Sequence, residues 1–116
     1  ILGDEVLPVI EIIPKKGFYD YSSKYTKGMS EYVCPADIGT KLTSEIKDTA
    51  QRIHQLLGCE VYSRVDFKIY NDEVFFLEIN TLPGMTETSL FPMSAKKHGY
   101  SFKDLIDKII KLSQKK

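Results

Sequence analysis

Two strand-like runs separated by a short turn hold the side chains best suited to chemistry. Over residues 61–70, Tyr62, Arg64, Asp66 and Lys68 alternate with Val61, Val65, Phe67 and Ile69. Over residues 74–80, Val74, Phe76, Glu78 and Asn80 alternate with Phe75, Leu77 and Ile79. Successive side chains of a strand point to opposite faces, so each run has one face that carries the charged and amide groups.

Two hairpin registers compete. A two-residue loop at Asn71-Asp72 pairs Tyr70 with Glu73 and therefore Val65 with Glu78. That sets a carboxylate on the apolar face, which costs several kcal/mol unless it is paired or protonated. A loop centred on Asp72 pairs Tyr70 with Val74, Phe67 with Leu77 and Val65 with Ile79, and all the apolar residues meet on one face. The same register sets Asp66 across from Glu78 and Arg64 across from Asn80. The second register is the expected one.

Directly opposed residues have Cβ atoms ~4.5–5.5 Å apart. Two carboxylates that close repel unless a cation or a proton lies between them. Asp66, Glu78 and Asn80 offer hard oxygen donors, which suit Mg²⁺ held mainly by carboxylates and substrate phosphates. Arg64 adds a fixed positive charge beside them. A polar hairpin face is more often simply the solvated one. Two features favour a site instead. Sheets normally avoid like charges in facing positions, and the second strand runs into T-L-P-G-M-T, a Pro-Gly loop placed to bring backbone N–H groups to the same end.

The elements that must position these groups follow from periodicity. Residues 1–13 are β-rich with a turn at Gly3-Asp4-Glu5, which predicts a hairpin whose second arm covers residues 6–13. Pro8 confines that arm to an edge or a bulge. Residues 14–34 read as one long loop rich in Tyr and Lys, and loops of that length are usually functional. Ile46, Ala50, Ile53 and Leu57, broadened by Leu56, predict a helix over residues 43–57, with Thr43 as N-cap and Gly58 just past its end. Residues 81–92 read as an irregular loop, residues 92–97 as a short helix closed by Gly99, and residues 101–113 as a last helix with Ser101 and Asp104 as a capping box. His54 and His98 are expected at the surface, with no catalytic role.

The totals set bounds. A length of 116 residues suits one domain, and 16 basic residues balance 16 acidic ones, which gives no support for nucleic-acid or membrane partners. No apolar run approaches the ~20 residues of a membrane helix. Cys34 and Cys59 share no metal-ligand spacing and read as reduced thiols of a cytosolic protein. The chain opens on Ile1-Leu2-Gly3, like the middle of a strand, which suggests a piece of a longer protein with exposed strand edges and apolar patches that invite self-association.

The runs RVDF, FLEINTLPGMT and SLFPM resemble the C-terminal motif of D-alanine–D-alanine ligases in the ATP-grasp superfamily. FYDYSSKY resembles the mobile loop of the same enzymes that carries Lys and Tyr. The resemblance implies an α+β fold for residues 1–116: an ATP-grasp C-terminal subdomain, mainly antiparallel sheet with flanking helices. It implies ATP-dependent joining of two D-alanine molecules through an acyl phosphate, for peptidoglycan precursors, in the cytoplasm. ATP and two Mg²⁺ or Mn²⁺ ions would serve it, and the parent enzyme would be a homodimer.

Residue by residue, the resemblance makes Asp66, Glu78 and Asn80 the metal ligands, with Glu78 bridging two ions that hold the ATP phosphates. Arg64 and the Gly84 N–H would stabilise the oxyanion of the tetrahedral intermediate. Ser89 and Leu90 would hold the carboxylate of the second D-alanine. Lys24 would contact ATP phosphate, and Tyr25 would help close the loop. Such chemistry needs positioning and charge neutralisation more than covalent help from the protein. A glycine leaves its N–H open to an oxyanion, and Ser89 just ahead of Pro92 suits the carboxylate-binding end of a helix.

Each role has a plainer rival. On composition alone Lys24 reads first as a solvated loop lysine, and Tyr19, Tyr21 and Tyr25 read also as ring anchors, Ser89 as a helix cap and Gly84 as an ordinary Pro-Gly turn. Competing functions are another ATP-grasp ligase, including one that joins D-alanine to D-lactate, against which Tyr25 argues, and a non-catalytic module that binds Mg²⁺ or Ca²⁺.

Overall fold

Asn71 and Asp72 both take positive φ, 50° and 60°. That is the left-handed pair a type I′ turn requires, and Asn and Asp tolerate it better than other residues with a Cβ. In the computed structural model, which describes residues 1–14 and 30–114, this turn joins β3 (Arg64–Tyr70) to β4 (Glu73–Asn80). It pairs Tyr70 with Glu73, Ile69 with Val74, Lys68 with Phe75 and Phe67 with Phe76. The loop is therefore the two-residue one, and the expected Tyr70–Val74 and Phe67–Leu77 pairs do not form.

The register then shifts between Asp66 and Phe67. Leu77 is the extra residue of a β-bulge, and beyond it Asp66 faces Glu78, Val65 faces Ile79 and Arg64 faces Asn80. Each of the two competing registers holds on its own side of the bulge. Val74 and Phe76 consequently join the face of Val65, Phe67 and Ile69, and Phe75 joins that of Lys68, which corrects the expected faces of β4. The Phe67 and Phe76 rings meet edge to face, with centroids 6.3 Å apart.

Around this hairpin the chain builds an α+β arrangement. β1 (Glu11–Pro14) pairs antiparallel with β2 (Ser30–Val33), so the described residues hold two separate two-stranded sheets. Only this short part of the expected arm over residues 6–13 is strand, and Ser30–Val33 had been expected as loop. The N-terminal turn does form: Leu2 and Glu5 exchange two backbone hydrogen bonds, both 2.9 Å, around Gly3 with φ 61°. Residues 1–3 also run antiparallel along residues 61–63, with Gly3 N–H donating to Val61 O at 2.7 Å.

α1 (Thr40–Leu56) begins three residues before the expected Thr43, which lies inside it and donates its N–H to Gly39 O at 3.1 Å. Gly39 caps it with an extended, positive-φ backbone and no side chain. Gly58, at φ 71°, ends it as expected. The buried stripe is Ile46, Ala50 and His54, whereas Leu56 and Leu57 are exposed. The expected surface position of His54 is thus overturned.

α2 (Leu90–His98) starts two residues earlier than expected and is closed by Gly99, φ 121°. α3 (Phe102–Gln114) is capped by Ser101, whose Oγ accepts the Asp104 N–H at 3.1 Å. Leu2, Leu7, Phe91, Ala95 and Leu105 form the core between the N-terminal turn, α2 and α3. Tyr100 Oη donates to Glu5 Oε2 at 2.6 Å, and exposed His98 lies 3.6 Å from the same carboxylate, stacked on Tyr100. Those contacts tie the end of α2 to the turn.

The turn geometry yields a test. Asp72→Gly relieves a Cβ at positive φ and should raise stability by roughly 0.5 kcal/mol, while Asp72→Val should lower it by about 1–2 kcal/mol. Thermal unfolding reads both, and equal melting for the two variants would contradict the type I′ assignment.

Candidate active site

Arg64 and Asp66 are two apart on β3 and share a face. Arg64 Nε donates to Asp66 Oδ1 at 2.9 Å and Nη2 to Oδ2 at 3.0 Å, a bidentate pairing of fork and carboxylate. The same Nη2 stands 4.0 Å from Glu78 Oε1. One guanidinium therefore reaches both facing acids and offsets the repulsion that their opposition creates. The arrangement is half-sheltered: the Arg64 and Asp66 side chains are 17% and 22% exposed, and that of Glu78 57%.

The donor chemistry fits a hard divalent cation. Among the described residues no three His, Cys, Asp or Glu side chains cluster as a metal cage. A cation here would draw on two carboxylates, the Asn80 amide oxygen, water and a ligand's own oxygens, the pattern typical of Mg²⁺. Asn80 Oδ1 also accepts the Leu82 N–H at 2.9 Å, which bends the chain out of β4 into the following loop.

That loop is pinned at several points. Pro83 is buried, and Met85 packs against the core. The Ser89 N–H donates to Thr86 O at 3.1 Å, and Ser89 Oγ accepts the Thr86 N–H at 3.0 Å and lies 2.7 Å from Thr86 Oγ1. Ser89 occupies the N-cap position of α2, yet its hydroxyl makes no cap bond, so the plain cap alternative does not describe its side chain. Gly84 lies close against the Ser89 side chain. A Cβ there would come 2.8 Å from Ser89 Oγ. Leu90 opens α2, whose first amides have no helical acceptor, and Pro92 has no N–H to satisfy.

An open cleft of about 1240 Å³ lies between the N-terminal segment, α1 and the hairpin. Arg64, Asp66, Glu78 and Leu90 line it, whereas Asn80, Gly84 and Ser89 are not on its wall. Lys24 and Tyr25 lie outside the described residues. Lys47 of α1 also lines the cleft. Sequence reasoning assigned it no role, because the helix stripe was placed on the Ile53–Leu57 side instead of the His54 side.

A family model described as the C-terminus of D-ala D-ala ligase matches residues 1–111. The chain belongs to the D-alanine–D-alanine ligase family. It is 53% identical over 114 residues to a D-alanine–D-alanine ligase of Methylacidiphilum infernorum, covering 97% of this chain and 38% of that protein. It is 52% identical over 112 residues to one of Halalkalibacterium halodurans, covering 95% and 37%. The crystal structure of the Bacillus anthracis D-alanine–D-alanine ligase complexed with ATP superimposes with a TM-score of 0.83 at 32% identity, over 99% of this chain and 38% of that one. The VanG D-Ala:D-Ser ligase of Enterococcus faecalis is also similar, with a TM-score of 0.75 and 38% identity over 96% of this chain and 34% of that one. The chain thus spans a little over a third of the relatives it matches, and its fold is that of the ligase ATP-grasp domain's C-terminal part.

The contact between Gly84 and Ser89 predicts a local effect. Gly84→Ala should drive the Ser89 hydroxyl off Thr86 and move the Thr86 amide resonance, as Ser89→Ala should, with stability changed by less than about 1 kcal/mol. An unmoved Thr86 amide in both variants would contradict this geometry.

Proposed function

We propose that this chain forms the metal- and phosphate-handling part of an ATP-dependent D-alanine–D-alanine ligase that makes peptidoglycan precursors in the cytoplasm. The observation that supports it most is the facing pair of Asp66 and Glu78 with Arg64 reaching both, on the hairpin that leads into the loop of Gly84 and Ser89. The names and identities of the relatives support the same reading.

In this reading Asp66, Glu78 and Asn80 hold Mg²⁺ or Mn²⁺, two ions with Glu78 common to both. The ions supply charge neutralisation for phosphate oxygens. Arg64 already carries its positive charge in place, fixed by Asp66, and faces the developing oxyanion without reorganisation. The Gly84 N–H approaches the same oxygen without a side chain in the way. The amides at Leu90 and the Ser89 hydroxyl receive the carboxylate of the second amino acid, at the positive end of α2. Lys24 and Tyr25 serve ATP phosphate and loop closure. The whole enzyme acts as a homodimer, and the 116 residues alone do not turn over. No helix among the described residues is long and apolar enough to cross a membrane.

A chimera tests the reading. The corresponding segment of the Methylacidiphilum infernorum ligase is replaced by this chain, and ADP release is measured with D-alanine, D-serine or D-lactate as second substrate. D-alanine-dependent release is expected, with Arg64→Ala slowing kcat by roughly 10²–10³-fold and Glu78→Gln abolishing metal-dependent turnover. A folded chimera that binds metal but releases no ADP would favour a plain metal-binding module, and preference for D-lactate or D-serine would overturn the substrate.

A further inference from the structure

One buried titratable group takes no part in the site described above. His54 is 3% exposed, and its Nδ1 lies 2.6 Å from Oγ of Ser63, which is fully buried. Its Nε2 is buried and has no hydrogen-bond partner among the described residues. Ser63 is held at its other polar groups as well. Its N–H donates to Ile1 O at 3.0 Å, and its carbonyl accepts from the Ile1 nitrogen at 2.9 Å.

Ser63 is the residue before Arg64. Strand alternation sets the two on opposite faces, so the backbone that carries the guanidinium is gripped from behind by the last turn of α1. The Ile46 and Ala50 side of α1 opens onto the cleft. The His54–Ser63 hydrogen bond is therefore a direct polar tie between α1 and the start of β3. A buried hydrogen bond of this kind holds a strand in one place, because breaking it leaves a desolvated group unpaired.

We propose that His54 is a positioning residue for Arg64: the neutral imidazole, bonded to Ser63, fixes the point from which Arg64 reaches Asp66 and Glu78. The assignment rests on Arg64 belonging to the reactive site, but its test reads Arg64 itself and needs no turnover. Protonation would add charge to a ring whose Nε2 has no acceptor among the described residues, which a buried site resists. Asp4, in the N-terminal turn, favours the charged form. Burial is the larger effect and holds the His54 pKa below the usual histidine value.

The sign follows. A folded-state pKa below that of the unfolded chain gives a contribution that is complete above about pH 6.5, the ordinary histidine value. It is lost as pH falls through the folded value. Arg64 should loosen over that same acidic range.

Nuclear magnetic resonance of the chain tests this, with the His54 ring and the Arg64 Nε–H followed from acidic to neutral pH. In the wild type the Arg64 signal should move with the same midpoint as His54, below the usual histidine range. Ser63→Ala and His54→Leu should remove that midpoint and speed exchange of the Arg64 Nε–H about tenfold at neutral pH. His54→Asn, whose amide can stand where Nδ1 stands, should restore slow exchange without the pH dependence. An Arg64 signal that ignores the His54 titration, and exchanges equally slowly in Ser63→Ala, would overturn the proposal. If His54→Leu does not fold, the wild-type titration and Ser63→Ala still decide it. Loss of ligase activity in the chimera would leave these signals untouched, so the two ideas fail separately.

Discussion

The structure turns on one extra residue. A type I′ turn at Asn71-Asp72 and an apolar face on the hairpin make incompatible demands, since a regular ladder from that turn puts Glu78 opposite Val65. Burying a carboxylate against valine costs several kcal/mol. The Leu77 bulge meets both demands by changing register between Phe67 and Asp66. Aromatic pairing then rules one half of the hairpin and charge pairing the other. Bulges often sit beside active sites because they re-aim a side chain, and here the re-aimed side chain is Glu78.

Everything else fixes what the bulge brings together. Arg64 holds Asp66 through two hydrogen bonds and reaches towards Glu78, so one guanidinium helps keep the two acids close. Asn80 spends its side-chain oxygen partly on Leu82, which starts the loop, and buried Pro83 and Met85 anchor it. The close approach of Gly84 to Ser89 then sets the backbone at the foot of α2. Charge cluster, loop and helix end are each fixed by short local contacts.

The facing of Asp66 and Glu78 was legible in the sequence, and the reason is physical. Matching apolar residues across the strands was enough to set Asp66 across from Glu78, because a one-residue slip exposes or buries every side chain. The loop type was not legible, since the two registers were treated as exclusive and a bulge lets both exist. α1 was missed at its start because Gly39 caps it through backbone alone, with no polar side chain to read. The buried face of α1 was found at Ile46 and Ala50, but its continuation to His54 was missed because a histidine does not register as apolar. Its partner Ser63 is distant from it only by a turn, and no local pattern marks the pair. β2 was missed because four residues at the end of a polar stretch carry little periodicity. The family was legible because the runs RVDF, FLEINTLPGMT and SLFPM resemble its C-terminal motif.

Cross-strand nuclear Overhauser contacts in the hairpin test the central claim most directly. The account predicts contacts of Phe67 with Phe76 and of Asp66 with Glu78 in the same spectrum, with Leu77 opposite no single partner. Contacts of Asp66 with Leu77 together with Val65 and Glu78 would show a regular ladder, separate the two acids onto opposite faces and contradict it.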